Sequence, residues 1–154
     1  MRAGILFNNR ILDVVFIAWF LAQGYKFTKE LIVNRKVELN RIWGTGGMPS
    51  SHSSTVTSLA TSVGIVNGYG STFFALALTF AGIVMYDAAG IRRSAGKQAA
   101  IINRLMEKIH QSNFITGVQE EKLKELLGHT PFEVLVGAIL GVAVSYIFKD
   151  YLLS

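Results

Sequence analysis

Three polar clusters interrupt an otherwise apolar chain, and their residue types suit the handling of an anion. In Gly46-Gly47-Met48-Pro49-Ser50-Ser51-His52-Ser53-Ser54 the glycines free the backbone, and Pro49 suits the first position of a helix. The amides of Ser50, Ser51 and their neighbours would then form a helix N-terminus, whose unpaired N–H groups and dipole favour a phosphate. His52 would stand one turn inside it, and an imidazole can give up a proton near neutral pH. A capped packing helix with a hydrogen-bonded histidine would use the same residues, so spacing alone leaves both readings open.

The second cluster is Gly128-His129-Thr130-Pro131-Phe132-Glu133. His129 and Glu133 are four positions apart, which on a helix would put both on one face and let the carboxylate orient the imidazole. Thr130 to Glu133 is also a capping box with proline at the first helical position, in which Glu133 reaches back to the backbone. The two roles are compatible. The third cluster runs from Tyr86 through Asp87, Arg92, Arg93 and Lys97 to Gln98. Asp87 closes an apolar stretch, where an unpaired acid is costly, and Arg92 or Arg93 would be its partner. The other arginine, with Lys97 and with Arg41 ahead of the glycine turn, could present donors to phosphate oxygens. A basic stop at a membrane boundary would account for some of these cations equally well.

Bringing the clusters together falls to the apolar stretches between them. Of the 154 residues, 51% are hydrophobic and 16% charged, a balance of membrane proteins rather than of soluble enzymes. One domain spanning 1–154 is expected, an all-α bundle of about four transmembrane helices: Ile11 to about Val33, Ser51 to about Val66, Ser71 to Tyr86, and Phe132 to about Phe148. The first is read as a retained helix, because Gln23-Gly24-Tyr25 before Lys26 is no convincing cleavage site. The second, rich in Ser, Thr, Ala and Gly, suits the centre of a bundle, and Gly137 and Gly141 suit close packing in the last.

Between the third and fourth spans, Gly90 to Gly128 is a polar excursion with Ile102, Leu105, Met106 and Ile109, then Leu123, Leu126 and Leu127, at helical spacing. It is predicted to form a helical hairpin on the membrane face, turning at Phe114 to Gly117. The segment before the second span and this excursion share a side and hold twelve of the fifteen basic residues, which places that side in the cytoplasm. The net charge of +5 lacks the aromatic-and-basic surface that nucleic-acid binding needs, and with no cysteine there is no disulfide or thiolate chemistry. Neither a metal nor another cofactor is expected, since no cluster has ligand spacing. All three polar clusters fall on the basic side of this bundle, and four spans leave surface that a second copy would bury in a homodimer.

With these motifs in view, the chain resembles the divergent branch of the type-2 phosphatidate phosphatase and vanadium haloperoxidase superfamily. The resemblance runs from about Arg41 through Gly141 and is carried by GGMPSSHS, YDAAGIRRSAGKQA and GHTPFEVLVGAILG. Pro49-Ser50-Ser51-His52 is similar to the superfamily's Pro-Ser-Gly-His, with Ser51 in place of glycine, and His129 with Glu133 is similar to its His-x-x-x-Asp. Lys36 and Arg41 are loose counterparts of its early Lys-and-Arg-Pro motif.

The resemblance implies a metal-independent phosphatase acting on a membrane lipid monophosphate at the cytoplasmic face of the plasma membrane. His129 would be the nucleophile, Glu133 its orienter and His52 the general acid, with Ser50, Ser51, Arg41, Arg92 and Arg93 cradling phosphate. Two other outcomes fit the same residues: a non-catalytic protein that binds or moves a phosphorylated ligand, and a transferase whose acceptor is not water. Haloperoxidase chemistry, which belongs to soluble vanadate-loaded members, is not expected.

Overall fold

The computed structural model describes residues 4–34, 47–111, 123 and 128–154. Among the described residues all regular structure is helical. In chain order, α1 is Arg10–Asn34, α2 Ser51–Asn67, α3 Thr72–Tyr86, α4 Arg92–Gln111, α5 Pro131–Ile147 and α6 Lys149–Leu153. A single π-helical turn, Asp87–Ile91, joins α3 to α4.

The polarity of the bundle is inverted relative to a water-soluble protein. Ser50, Ser53, Ser54, Ser58, Ser62 and Ser145 are fully buried, whereas Phe16, Phe20, Phe73, Leu76, Ile83, Leu135 and Ile139 stand exposed. Large apolar side chains facing outward on several helices at once need a hydrocarbon solvent. Arg10–Ile32 and the helix beginning at Thr72 are each long and apolar enough to cross a bilayer, and Pro131–Ile147 is a shorter apolar helix.

Helix α2 is the axis, packed against α1, α3 and α5. It owes that position to its small residues. A Cβ on Gly137 of α5 would lie 2.3 Å from the Ser50 carbonyl oxygen, and one on Gly141 2.2 Å from that of Ser54, so the two backbones touch. Hydroxyls then satisfy one another across the contact: Thr57 donates to the Ala138 carbonyl at 3.1 Å, and Ser62 donates to Ser145 Oγ at 3.1 Å. On the α1 side, Ser54 donates to the Ala18 carbonyl at 3.1 Å. Such bonds contribute about 0.6 kcal/mol each inside a membrane, so the helices are held by close approach more than by any one bond.

Residue pairing fixes directions. Ser50 pairs with Glu133 and Ser58 with Ser145, so α2 and α5 run parallel; Lys26 meets Ser51 and Ala18 meets Ser54, so α1 is antiparallel to both. At the far end Asp13 is buried where the N-terminal turn meets α6. It accepts the amides of Ile5 and Leu6 at 2.8 and 2.7 Å and the Tyr151 hydroxyl at 2.5 Å. Three donors make a buried carboxylate tolerable there.

Two expectations change in form. The excursion after the third span does not start as a separate element: Thr72–Ile109 is continuous through the π turn and, at 38 residues, is about 57 Å long, nearly twice a hydrocarbon core of roughly 30 Å. Its polar half, α4, therefore projects beyond the bilayer. Asn103 clasps the backbone of Leu123, donating to its carbonyl at 2.9 Å and accepting its amide at 3.1 Å, while the Phe114–Gly117 turn lies outside the described residues. Pro49 does not open α2. Ser50 is the cap, accepting the Ser53 amide at 3.3 Å, and Pro49 stands before it, joined to Met48 by a cis peptide bond.

The glycine contact makes a stability prediction. Gly141→Ala should lower the thermal midpoint of the detergent-purified protein by about 5 °C or more, because its methyl meets backbone that must move. Gly82→Ala on α3, which enters open space, should leave the midpoint unchanged or slightly raised. Scanning fluorimetry of the two variants checks this.

Candidate functional site

The parallel run of α2 and α5 sets two helix N-termini side by side, and each carries a histidine. His52 is the second residue of α2, and His129 lies just ahead of the Thr130 cap of α5. Their ring centroids are 5.9 Å apart with planes at 63°. His129 is 2% exposed. Its backbone is pinned: its amide donates to the Ala88 carbonyl at 2.9 Å, an oxygen that the wider π turn leaves to an outside donor. Gly128 makes this approach possible, since it has φ +86° and a Cβ there would lie 2.4 Å from the Arg93 amide nitrogen.

Both roles open to Glu133 are present. Its Oε2 accepts the Thr130 amide at 2.9 Å while Thr130 Oγ1 accepts the Glu133 amide at 3.3 Å, which completes the capping box. The same Oε2 is 3.4 Å from His129 Nδ1, an electrostatic contact too long and oblique for a good hydrogen bond. His129 Nε2 and His52 Nδ1 are likewise buried without a hydrogen-bond partner in the protein. Buried polar atoms left this way are uncommon, and these belong to two rings in edge contact.

The charge around them is mixed. Arg92 Nε is 2.7 Å from Asp87 Oδ2, and both residues act electrostatically on His52. Ser50 is spent as the cap of α2, whereas Ser51 faces α1, with its Oγ 3.4 Å from Lys26 Nζ. The Lys26 charge also reaches both histidines and Glu133. Burial, and after it the Lys26 charge, hold the His129 imidazole below its ordinary value, against the opposing pull of Glu133. His129 is therefore a neutral ring at neutral pH, with a lone pair available.

Of the residues singled out by type and spacing, the structure gathers His52, His129, Glu133, Asp87, Arg92, Ser50 and Ser51 at one end of the bundle. Arg93 and Lys97 are exposed on α4. Arg41, with Lys36, lies outside the described residues. Lys26, which residue type and spacing did not single out, joins the gathered residues. The signal was present, because Lys26 continues the stripe Leu12, Phe16, Trp19, Gln23 at helical spacing, and a cation on an apolar face is costly unless it is used.

The profile of a family described as "Divergent PAP2 family" matches residues 7–144. A Bacillus subtilis (strain 168) protein bearing the name uncharacterized membrane protein YuiD is 40% identical over 142 residues, covering 87% of this chain and 90% of that protein. No solved structure matches.

The electrostatics can be read out directly. In nitrogen-resolved NMR titration, His129 should change protonation below the ordinary imidazole value of 6.5, and Lys26→Met should raise its midpoint part of the way back. A wild-type midpoint at or above the ordinary value would contradict the burial and the lysine's effect together.

Proposed function

The chain belongs to the divergent PAP2 family, and from that premise we propose that it is a metal-independent phosphatase of a membrane lipid monophosphate, working through a phosphohistidine. The observation that carries this reading is the pair of imidazoles 5.9 Å apart, with partnerless ring nitrogens, between two helix N-termini. That spacing lets both rings reach one phosphoryl group.

In this mechanism the Nε2 lone pair of neutral His129 attacks phosphorus, and an N–P bond forms as the P–O bond to the lipid breaks. His52 delivers a proton to the departing alkoxide. It then takes one from water, whose oxygen attacks phosphorus as the N–P bond breaks and inorganic phosphate leaves. Glu133, beside Nδ1, stabilises the positive charge that the ring gains in the intermediate. Lys26, Ser51 and Arg92, with the α2 amides, stabilise the phosphoryl oxygens, and Asp87 holds Arg92 in place.

The same reading places four spans in the plasma membrane with this end in the cytoplasm, supported by the basic residues gathered on that side.

A second reading, binding of a phosphorylated ligand without turnover, draws on one observation. Asp87 neutralises Arg92, which leaves Lys26 as a described cation whose charge reaches both histidines. Transfer to an alcohol acceptor would use the same intermediate and would appear as a new phosphoester when alcohols are added.

Phosphate release from a panel of lipid monophosphates, with a chelator present, is the test. His129→Ala should lose three orders of magnitude or more of turnover while keeping its thermal midpoint, about what removing a positioned catalytic group costs. Glu133→Gln, which can still complete the capping box, should keep the fold and lose about tenfold to a hundredfold. Full turnover in His129→Ala rejects the mechanism.

A further inference from the structure

Helix α4 leaves the bundle with one apolar face uncovered. Ala95, Gln98, Ile102, Leu105 and Ile109 follow one another at alternating steps of three and four, so they fall on a single stripe, with Ile91 of the π turn at its foot. All six are exposed, Ile91 at 61% and Leu105 at 54%. The buried side of α4 is a different one. Gly96, Ala99 and Asn103 lie about a third of a turn round the helix, where Asn103 holds the Leu123 backbone. Lipid does not reach the stripe either: Ile102 lies about 45 Å along the continuous helix that starts at Thr72, and the hydrocarbon core is roughly 30 Å thick. A row of large apolar side chains at that height faces water, which marks a contact surface.

We propose that this stripe pairs with its counterpart on a second copy of the chain, the two α4 helices forming a short parallel coiled coil outside the bilayer. The proposal stands on α3 crossing the membrane and not on the chemistry of the histidine site. Three considerations select this occupant. A bilayer holds every copy in one orientation and at one depth, so the projecting helices of two copies are parallel and level, and a two-fold axis along the membrane normal sets each stripe residue opposite itself. Steps of three and four make the narrow seam of a helix pair rather than the wider face that a helix buries in a groove. The cations lie elsewhere: Arg93, Lys97 and Arg104 are on the far side of α4 from the stripe, so two copies pair without bringing like charges together, whereas an acidic partner would be drawn to that far side. Gln98 is the polar member of the seam, and meeting its counterpart there fixes the register at some cost in affinity. A seam of about two and a half heptads is short for helices that meet from solution, but confinement of both copies to one membrane raises their effective concentration.

The chain has no cysteine, which permits a direct test in native membranes. Ile102→Cys and Leu105→Cys, oxidised with copper phenanthroline, should each give a disulfide-linked dimer, and Arg104→Cys, across the helix, should give about tenfold less. Equal yields from the three variants overturn the proposal, because they report random collision. Reaction of Leu105→Cys with a thiol reagent carried on lipid tails, in place of cross-linking, also overturns it by laying the stripe on the bilayer. In vesicles of neutral lipid, energy transfer between fluorescently labelled copies should show association that Leu105→Asp weakens by about tenfold or more and Gln98→Leu strengthens by about tenfold, both with unchanged helix content by circular dichroism. Transfer that is absent from the wild type, or indifferent to both substitutions, rejects the pairing.

Discussion

The contact on which the rest depends is the one between α2 and α5. At Gly137 and Gly141 the α5 backbone rests on the Ser50 and Ser54 carbonyls with no room for a methyl group. Because the two helices run parallel there, this approach also brings their N-termini level. The separation of His52 and His129 follows from it, as does the side-by-side placing of two positive helix ends. A wider helix spacing would move the rings apart, and no local feature of either segment could restore them.

The interior follows from the solvent. Hydrocarbon offers the outer faces all the apolar contact they need, so what the inside supplies is close packing and partners for polar groups. Serine and threonine meet both demands: they are small, and their hydroxyls bond to carbonyls a turn earlier or across a helix contact. Asp13, with three donors, closes the far end in the same way. Against that background the histidine nitrogens stand out. Among the described residues they are buried polar atoms without a protein partner, beside two helix N-termini.

The π turn after α3 shows how the site departs from regular geometry. With Arg92 bonded to Asp87 five residues back, the Ala88 carbonyl is available to the His129 amide, and the same segment carries the Asp87–Arg92 pair. One irregular turn thus positions the backbone of one histidine and supplies charges that act on the other. Gly128 is the matching concession on the second strand of the contact, a left-handed residue pressed against the first turn of α4.

The helices themselves were legible in the residues. Apolar runs marked α1, α3 and α5 to within a residue or two, and the small, hydroxyl-rich α2 announced its central place, because hydropathy and side-chain size act locally. His52, His129 and Glu133 were legible by type, as was the capping box, which depends only on neighbours in the chain. Lys26, the π turn and the seat of Gly128 were not read. Their roles depend on which helix face meets which across separations of 25 to more than 80 positions, and that is decided by how closely backbones can approach. Composition and periodicity therefore determined that this chain makes apolar helices with polar ends; only the packing of α2 between α1 and α5 decided that a lysine, two imidazoles and a carboxylate would lie together.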